Sequence, residues 1–295
     1  MTSVHVLESV RRHSALGIRF WDVATGNTVV TGLDVALFPR SNPQARRALL
    51  LNRSGVYAAH NVPGLRDFEF SNQPPEELWA TSTRSYRIDV GDPAGRFLPS
   101  SFDVDLPVRG LLSLLAPWLS PAQAIPLPLE TGSPPQPLMG VVPLFSAPAR
   151  PLPEPLGVVY AQLRLRSSGD AAAWALLAVD IDGKTRGLGQ ADADGRVAVF
   201  FGYPEPPRRQ RMSPPEQRND DFSWAVSLSA FRDETLPAVQ SPDLVQVVGQ
   251  LSQPRQVLES LQSPALPLRL DYRVPLTART AGATGEAASY LLLAA

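Results

Sequence analysis

Residues 110–155 have the sequence GLLSLLAPWLSPAQAIPLPLETGSPPQPLMGVVPLFSAPARPLPEP, and they separate two parts of the chain that both have strand-like patterns. Twelve of these residues are proline, and each proline fixes φ and removes a backbone N–H donor. Proline at this density excludes a helix and an inner strand. Glu130 is the only ionisable residue between Gly110 and Ala149. We therefore expect this apolar segment to lie against protein surface.

Two packings of the proline-rich segment, residues 111–155, remain open from the sequence. The segment can be a strap across the chain's own domains, or it can be an arm that docks on a neighbouring subunit. Leu114, Leu115 and Trp118 are the predicted partner contacts of such an arm. Trp79 lies outside the predicted strands and is a further candidate contact.

The sequence before this segment alternates between apolar and polar residues, as half-buried strands do. Residues 86–90, Tyr-Arg-Ile-Asp-Val, are an example, and the turn signal Asp92-Pro93-Ala94-Gly95 follows them. Short strands with turns at this spacing are typical of a β-sandwich. We predict a first sandwich module over residues 1–110.

The same pattern returns after the proline-rich segment. Residues 161–165 alternate, and the apolar run at 174–179 predicts a strand that is buried on both faces. Asp182-Gly183 and Asp194-Gly195 are hairpin-turn signals. These observations predict a second module over residues 156–295. The predicted fold class is mainly β, with two antiparallel β-sandwich modules joined by a long apolar linker.

One or two short helices are predicted in the second module, near residues 242–262. Ser241 is the expected N-cap of the first helix, with Pro242 in its first turn and Asp243 at the positive end of the dipole. Apolar residues at helical spacing follow. The second predicted helix runs from Pro254 to Gln262.

No arrangement of residues indicates catalysis, a cofactor or a metal. The chain has no cysteine, and its three histidines are widely separated. The pairs Asp180/Asp182 and Asp192/Asp194 have the alternating spacing of calcium loops, but the later bidentate glutamate is missing, so we expect hairpin turns. Neither a Gly-x-Ser-x-Gly elbow nor a phosphate-binding loop is present. We predict that the protein is not an enzyme.

Charge and hydropathy restrict the partners. The formal net charge is −1, so bulk charge predicts no nucleic-acid partner. Arg208, Arg209 and Arg211 lie in a polar, proline-rich loop and are candidate contacts for an acidic partner. No apolar run approaches the roughly 20 residues that span a bilayer. Charged residues within 1–12 are unlike a signal peptide, so we expect a cytoplasmic protein.

Two stretches resemble known accessory modules. Residues 189–197, Gly-Gln-Ala-Asp-Ala-Asp-Gly-Arg-Val, resemble the turn of transthyretin-like, carboxypeptidase-regulatory-like β-sandwich modules. Gly55-Val56-Tyr57 with Val62-Pro63-Gly64 resembles the corresponding turn and the corner after it. The resemblance implies a module that is accessory and not catalytic. The layout of two modules with a proline-rich bridge is also similar to components of phage-tail-like contractile injection particles, which implies assembly in the cytoplasm.

Three functions follow as hypotheses. The first is a non-catalytic structural subunit of a larger protein assembly, in a baseplate, cap or adaptor position of a contractile particle, with other protein subunits as partners. The second is a carbohydrate- or peptide-binding β-sandwich module, which an exposed row of aromatic side chains would favour. The third is a hydrolase whose site forms only after folding, which a cleft with paired carboxylates of shifted pKa would favour.

Overall fold

The computed structural model describes residues 12–72, 82–112, 114, 141–152, 155–205, 222–237, 239–261 and 268–294. The fold is mainly β, which confirms the predicted fold class. The α-helices of these ranges are α1 (Arg66–Glu69) and α2 (Leu244–Gly249), and 3-10 turns occupy Gln250–Ser252 and Gly285–Ser289. No helix within the described ranges is long and apolar enough to cross a membrane.

The strands of the first module, as far as they are described, form three sheets around one core. They are β1 (Gly17–Ile18), β2 (Phe20–Asp22), β3 (Asn27–Thr28), β4 (Asp34–Pro39), β5 (Arg47–Ala48), β6 (Leu50–Leu51), β7 (Tyr57–Ala58), β8 (Arg84–Gly91), β9 (Ser100–Leu106) and β10 (Val142–Leu144). The sheet orders are β5-β4-β8-β9, β1-β7-β6 and β10-β2-β3. Side chains from all three sheets belong to the same buried cluster.

Strand β8 shows why the alternation predicted the fold correctly. Its Tyr86, Ile88 and Val90 are buried in the first core, whereas Arg87 and Asp89 between them stay partly exposed. The strand lies between β4 and β9 with antiparallel register on both sides. A strand with one apolar face can therefore sit at the centre of a sheet while its polar face meets water.

In the proline-rich segment, residues 111, 112, 114 and 141–145 pack against the first module. The Leu112 N–H donates to the Gly17 carbonyl at 2.9 Å, and the Val142 N–H donates to the Arg19 carbonyl at 2.8 Å. From Val142 onward the chain forms β10, which pairs in parallel with β2 at the edge of its sheet. Pro143 has no N–H to donate, and it is tolerated here because the outer side of an edge strand makes no hydrogen bonds to a neighbouring strand.

The second module is a sandwich of two sheets. Its strands are β11 (Leu156–Leu165), β12 (Leu176–Ile181), β13 (Lys184–Gln190), β14 (Arg196–Gly202), β15 (Ser223–Phe231), β16 (Pro254–Arg255), β17 (Val257–Leu258), β18 (Leu268–Asp271), β19 (Leu276–Thr277) and β20 (Leu291–Leu293). One sheet has the order β14-β11-β20-β17, with β19 also paired to β11, and the other has the order β13-β12-β15-β16, with β18 also paired to β15. Most pairs are antiparallel, but β11 pairs in parallel with β19 and β20.

Strand β12 is buried on both faces, as the apolar run at 174–179 predicts. Leu177 and Val179 belong to the core between the two sheets of the second module. Leu176 and Ala178, on the opposite face, belong to the core of the first module. The sheet that contains β12 is therefore shared between both cores.

The helix prediction is correct for α2 but needs two corrections. The N-cap is Asp243, whose carboxylate accepts from the N–H groups of Val245 and Gln246, and not Ser241. The carbonyl of Pro242 instead accepts the Ser101 N–H of the first module at 3.0 Å. The helix predicted for Pro254–Gln262 is wrong: β16 and β17 form there, because this stretch pairs first with β15 and then with β20.

The turns that resemble one another in sequence also share a hydrogen-bond pattern. The Asp192 carboxylate accepts from the N–H groups of Asp194 and Arg196, both at 2.9 Å. The side-chain oxygen of Asn52 accepts in the same way from the residues two and four positions later. Gly195 adopts a φ of 77° in this turn, and a Cβ there would lie 2.4 Å from the Leu163 carbonyl, so glycine is required.

Candidate functional site

An open groove with aromatic walls lies at one end of the second sandwich. We call it the aromatic groove, and its volume is about 680 Å³. It is lined by Pro155, Leu156, Gly202, Tyr203, Pro204, Glu205, Phe222, Trp224 and Tyr272. A volume of this size is within the range of small-molecule sites in proteins.

Both sheets of the sandwich contribute to the groove. Leu156 begins β11 and pairs with Gly202, the last residue of β14, in one sheet. In the other sheet Trp224 pairs with Leu270, and the Tyr272 N–H donates to the Phe222 carbonyl at 2.8 Å. The groove therefore forms where the ends of the two sheets meet.

Tyr203 holds the aromatic side chains together. Its ring lies 4.9 Å from the ring of Tyr272 in an edge-to-face arrangement and 5.5 Å from that of Trp224. Its hydroxyl accepts the Arg273 N–H at 2.9 Å. Burial raises the pKa of the Tyr203 phenol, so this hydroxyl is neutral at physiological pH. On its other side the ring covers Gly157, where a Cβ would lie only 3.1 Å away.

The groove is poor in polar groups that could bind a ligand. Among its described lining residues Glu205 is the one carboxylate, and the Tyr203 hydroxyl accepts the Arg273 N–H, which leaves its O–H as a donor. The indole N–H of Trp224 is buried and has no acceptor within the described residues. This set offers flat apolar faces and little acid–base chemistry.

A buried ion pair between the first module and the linker lies close to this end of β14. Arg150 donates to both carboxylate oxygens of Asp22, at 2.9 and 2.7 Å, and both side chains are less than one-tenth exposed. The guanidinium lies 5.0 Å from the ring centre of Phe97 in the first module and 5.8 Å from that of Phe200 in the second. Bidentate geometry and two aromatic faces are typical of arginine at a buried contact.

Of the predicted partner contacts, Leu114 lies within the described residues. Leu114 is half-buried and packs against the core of the first module. The other candidates lie outside the described residues: Leu115, Trp118, Trp79, Arg208, Arg209 and Arg211. Their role in binding a partner stays a prediction.

The aspartate pairs form turns, as expected. Asp182 and Gly183 are the two-residue turn of the β12–β13 hairpin, both with positive φ. The Asp180 carboxylate accepts from the hydroxyls of Thr185 and Ser229. No cluster of three or more His, Asp or Glu side chains in the described part of the chain is arranged to hold a metal ion.

The sequence did not predict the aromatic groove. Trp224 is 6% exposed and packs in the core of the second module, but its ring also lines the groove. Trp174 is likewise buried at 3%, and Trp21 is partly buried. Tyr203, Phe222 and Tyr272 come from separate stretches, and only the fold brings them together.

Comparison with known proteins adds no relative. No protein-family model, curated protein or solved structure matches the chain.

Proposed function

We propose that this protein is a non-catalytic structural subunit of a larger protein assembly, which it joins through its proline-rich segment. The observation that carries the proposal is where the described chain is anchored on either side of residues 115–140. Leu112 hydrogen-bonds to Gly17 and Val142 hydrogen-bonds to Arg19, only two residues further along the chain. The described residues before and after residues 115–140 are therefore held at neighbouring points of the first module.

This position argues against a connecting role for residues 115–140. The chain reaches the second module through residues 141–152, which begin with the buried strand β10 and include Arg150 of the buried ion pair. Residues 115–140 contain Glu130 as their only ionisable side chain. An apolar segment with a proline-restricted backbone loses little conformational entropy when it binds, which suits docking on a neighbour.

The packing between the modules supports a structural role. They share the sheet that contains β12, and the Ser101 N–H donates to the Pro242 carbonyl across their boundary. Two modules that share a sheet and meet at a buried ion pair form a rigid unit. Such a unit is suited to transmit force or to fix the spacing between neighbouring subunits.

The finer proposal is a position in a phage-tail-like contractile particle, as a baseplate, cap or adaptor component made in the cytoplasm. It rests on the resemblance of residues 189–197 and 55–64 to accessory β-sandwich modules and on the layout of two modules with a proline-rich bridge.

The test uses tagged full-length chains expressed in the source cells. The Leu115→Ser/Trp118→Ser double variant should no longer be found in high-mass complexes. Its melting temperature should equal that of the wild type. Leu114→Ser is the matched control, because Leu114 packs against the chain's own core. This control should lower the melting temperature by a few degrees and still assemble. A double variant that assembles normally would reject the proposal.

The second candidate function, a carbohydrate- or peptide-binding module, is favoured by the aromatic groove. Four aromatic side chains line it: Tyr203, Phe222, Trp224 and Tyr272. Sugars and peptides both stack on such faces. The carbohydrate alternative is tested by isothermal titration calorimetry with a panel of oligosaccharides. It predicts that the wild type binds an oligosaccharide and that the Tyr272→Ala variant does not.

A further inference from the structure

We propose that a small polar pocket on the outer face of the second sandwich binds the carboxylate of an acidic side chain on a partner protein. We call it the Arg164 pocket. It is lined by Gln162, Arg164, Ala171, Asp194 and Arg196, all of which are described residues. Its lining shares no residue with the aromatic groove. It is therefore a separate contact surface, and it does not depend on residues 115–140.

The pairing of β11 and β14 brings the lining residues together. Gln162 in β11 is paired with Arg196 at the start of β14. Leu163 lies in the core between the two sheets, so Gln162 and Arg164 on either side of it project from the outer face. Ala171 forms an isolated antiparallel bridge with Arg164. Hydrogen-bonded backbone therefore carries the walls of the pocket.

The guanidinium of Arg164 is held on two sides. Its Nη1 donates to the Gly169 carbonyl at 2.7 Å, and its central carbon lies 4.3 Å from the ring centre of Tyr290. The aromatic face and the backbone acceptor fix the plane of the guanidinium. A cation that is already held in place loses little side-chain entropy when it binds a ligand.

Arg164 lacks a counter-charge. It forms no ion pair with any carboxylate of the described residues. Its Nε–H is buried and has no acceptor in the described part of the chain. The Nε–H and an Nη2–H lie along one edge of a guanidinium, and this edge matches the two oxygens of a carboxylate. A carboxylate oxygen bound at Nη2 from the pocket places its second oxygen beside the unpaired Nε–H.

The other charges of the lining favour a ligand with a single negative charge. Arg196 pairs with both Asp192 and Asp194, so its charge is already balanced. Arg164 is left as the unbalanced cation. The Asp194 carboxylate in the wall repels a doubly charged phosphate more strongly than a singly charged carboxylate.

The size of the pocket indicates what carries the carboxylate. Its volume is about 260 Å³, and small-molecule sites usually have volumes of roughly 300–1,000 Å³. A pocket of this size on a strand face can take the end of a side chain while the rest of the partner stays outside. An aspartate or glutamate on a protein surface is therefore the proposed occupant.

The test follows the pocket by NMR in the full-length chain labelled with isotopes. The probes are a blocked tri-glutamate peptide, acetate and inorganic phosphate, each titrated at constant ionic strength. The peptide should shift the backbone amide signals of Gly169 and Ala171 and the Nε–H signal of Arg164 until they saturate. Phosphate should bind more weakly than the peptide. Arg164→Gln should weaken peptide binding at least about tenfold, as expected for the loss of a charge-assisted hydrogen bond.

Two further variants separate the pocket from general surface charge. Ala171→Leu places a larger side chain in the pocket and keeps Arg164, so it should weaken peptide binding as Arg164→Gln does. Arg166→Gln is the matched control. Arg166 is an exposed arginine two positions further along the chain and does not line the pocket, so its replacement should leave peptide binding unchanged.

Four results would overturn the proposal. Signals that do not saturate with the peptide would show that the pocket binds no acidic side chain, and acetate binding without peptide binding would assign it to free acids. Phosphate that binds as tightly as the peptide would contradict the charge argument. Equal losses in Arg164→Gln and Arg166→Gln would show attraction by surface charge alone. Because the purified chain is used by itself, each result is independent of whether residues 115–140 dock in an assembly.

Discussion

Replacing Arg150 by alanine should loosen the junction between the two modules. Arg150 donates two hydrogen bonds to Asp22, and both side chains are almost fully buried. Alanine would leave the Asp22 carboxylate buried without its counter-charge. The guanidinium contacts with Phe97 and Phe200 would also be lost.

The size of the effect follows from the remaining partners of Asp22. Breaking a buried ion pair by removing one partner costs about 3–5 kcal/mol. Asp22 keeps hydrogen bonds from the Ala24 N–H and the Thr25 hydroxyl, at 3.0 and 2.8 Å, so we expect the lower end of that range. A loss of about 3 kcal/mol lowers Tm by roughly 5 °C in a chain of this size.

The coupling between Asp22 and Arg150 is measured by urea unfolding of the four proteins of a double-mutant cycle. Asp22→Ala, Arg150→Ala and the double variant should give a coupling free energy of at least about 1.5 kcal/mol, within the range for contacting residues. Arg196→Ala is the matched control: Arg196 pairs with Asp192 and Asp194 but is 56% exposed. Its removal should cost less than about 1 kcal/mol. Equal effects of Arg150→Ala and Arg196→Ala would show that the buried ion pair stabilises the protein no more than an exposed one.

Three further predictions concern stability. Val226→Asp should abolish cooperative unfolding of the second module in differential scanning calorimetry, because Val226 is 3% exposed in its core; an unchanged transition would contradict its placement. Gly189→Ala should cost about 1–3 kcal/mol in urea unfolding, because its Cβ would lie 2.9 Å from the Ala198 carbonyl, whereas Gly202→Ala should be nearly neutral. Asp92→Asn should destabilise most at neutral pH: burial raises the pKa of Asp92, but hydrogen bonds from Arg96 and Ala94 outweigh it and the pKa is lowered. The stabilisation is present above the unfolded pKa of about 3.9 and disappears as pH falls through the folded pKa, so acid titration of both proteins should show their stabilities converging.

Periodicity predicted the strands that have their own pattern in the sequence. β8 alternates because one of its faces meets water, and β12 is continuously apolar because it is shared by two cores. The hairpin turn at Asp182-Gly183 was also predictable, because positive φ at two successive positions favours these residues.

Tertiary contacts decided the features that the sequence did not predict. Residues 254–258 have helical spacing of apolar side chains, but pairing with β15 and β20 makes them strands. Asp22 and Arg150 are 128 positions apart, and no local pattern connects them. The aromatic groove likewise depends on the ends of two sheets meeting, so residues such as Tyr203 and Tyr272 have no local signal.

We propose that this chain works as a subunit of an assembly. The most direct measurement is the mass of the wild-type complex in extracts of its source cells, by size-exclusion chromatography before and after chemical cross-linking. We predict that the protein elutes with a complex many times larger than a single 295-residue chain and that cross-linking fixes it to protein neighbours. Elution as a single chain under both conditions would show that the protein is not a subunit of an assembly.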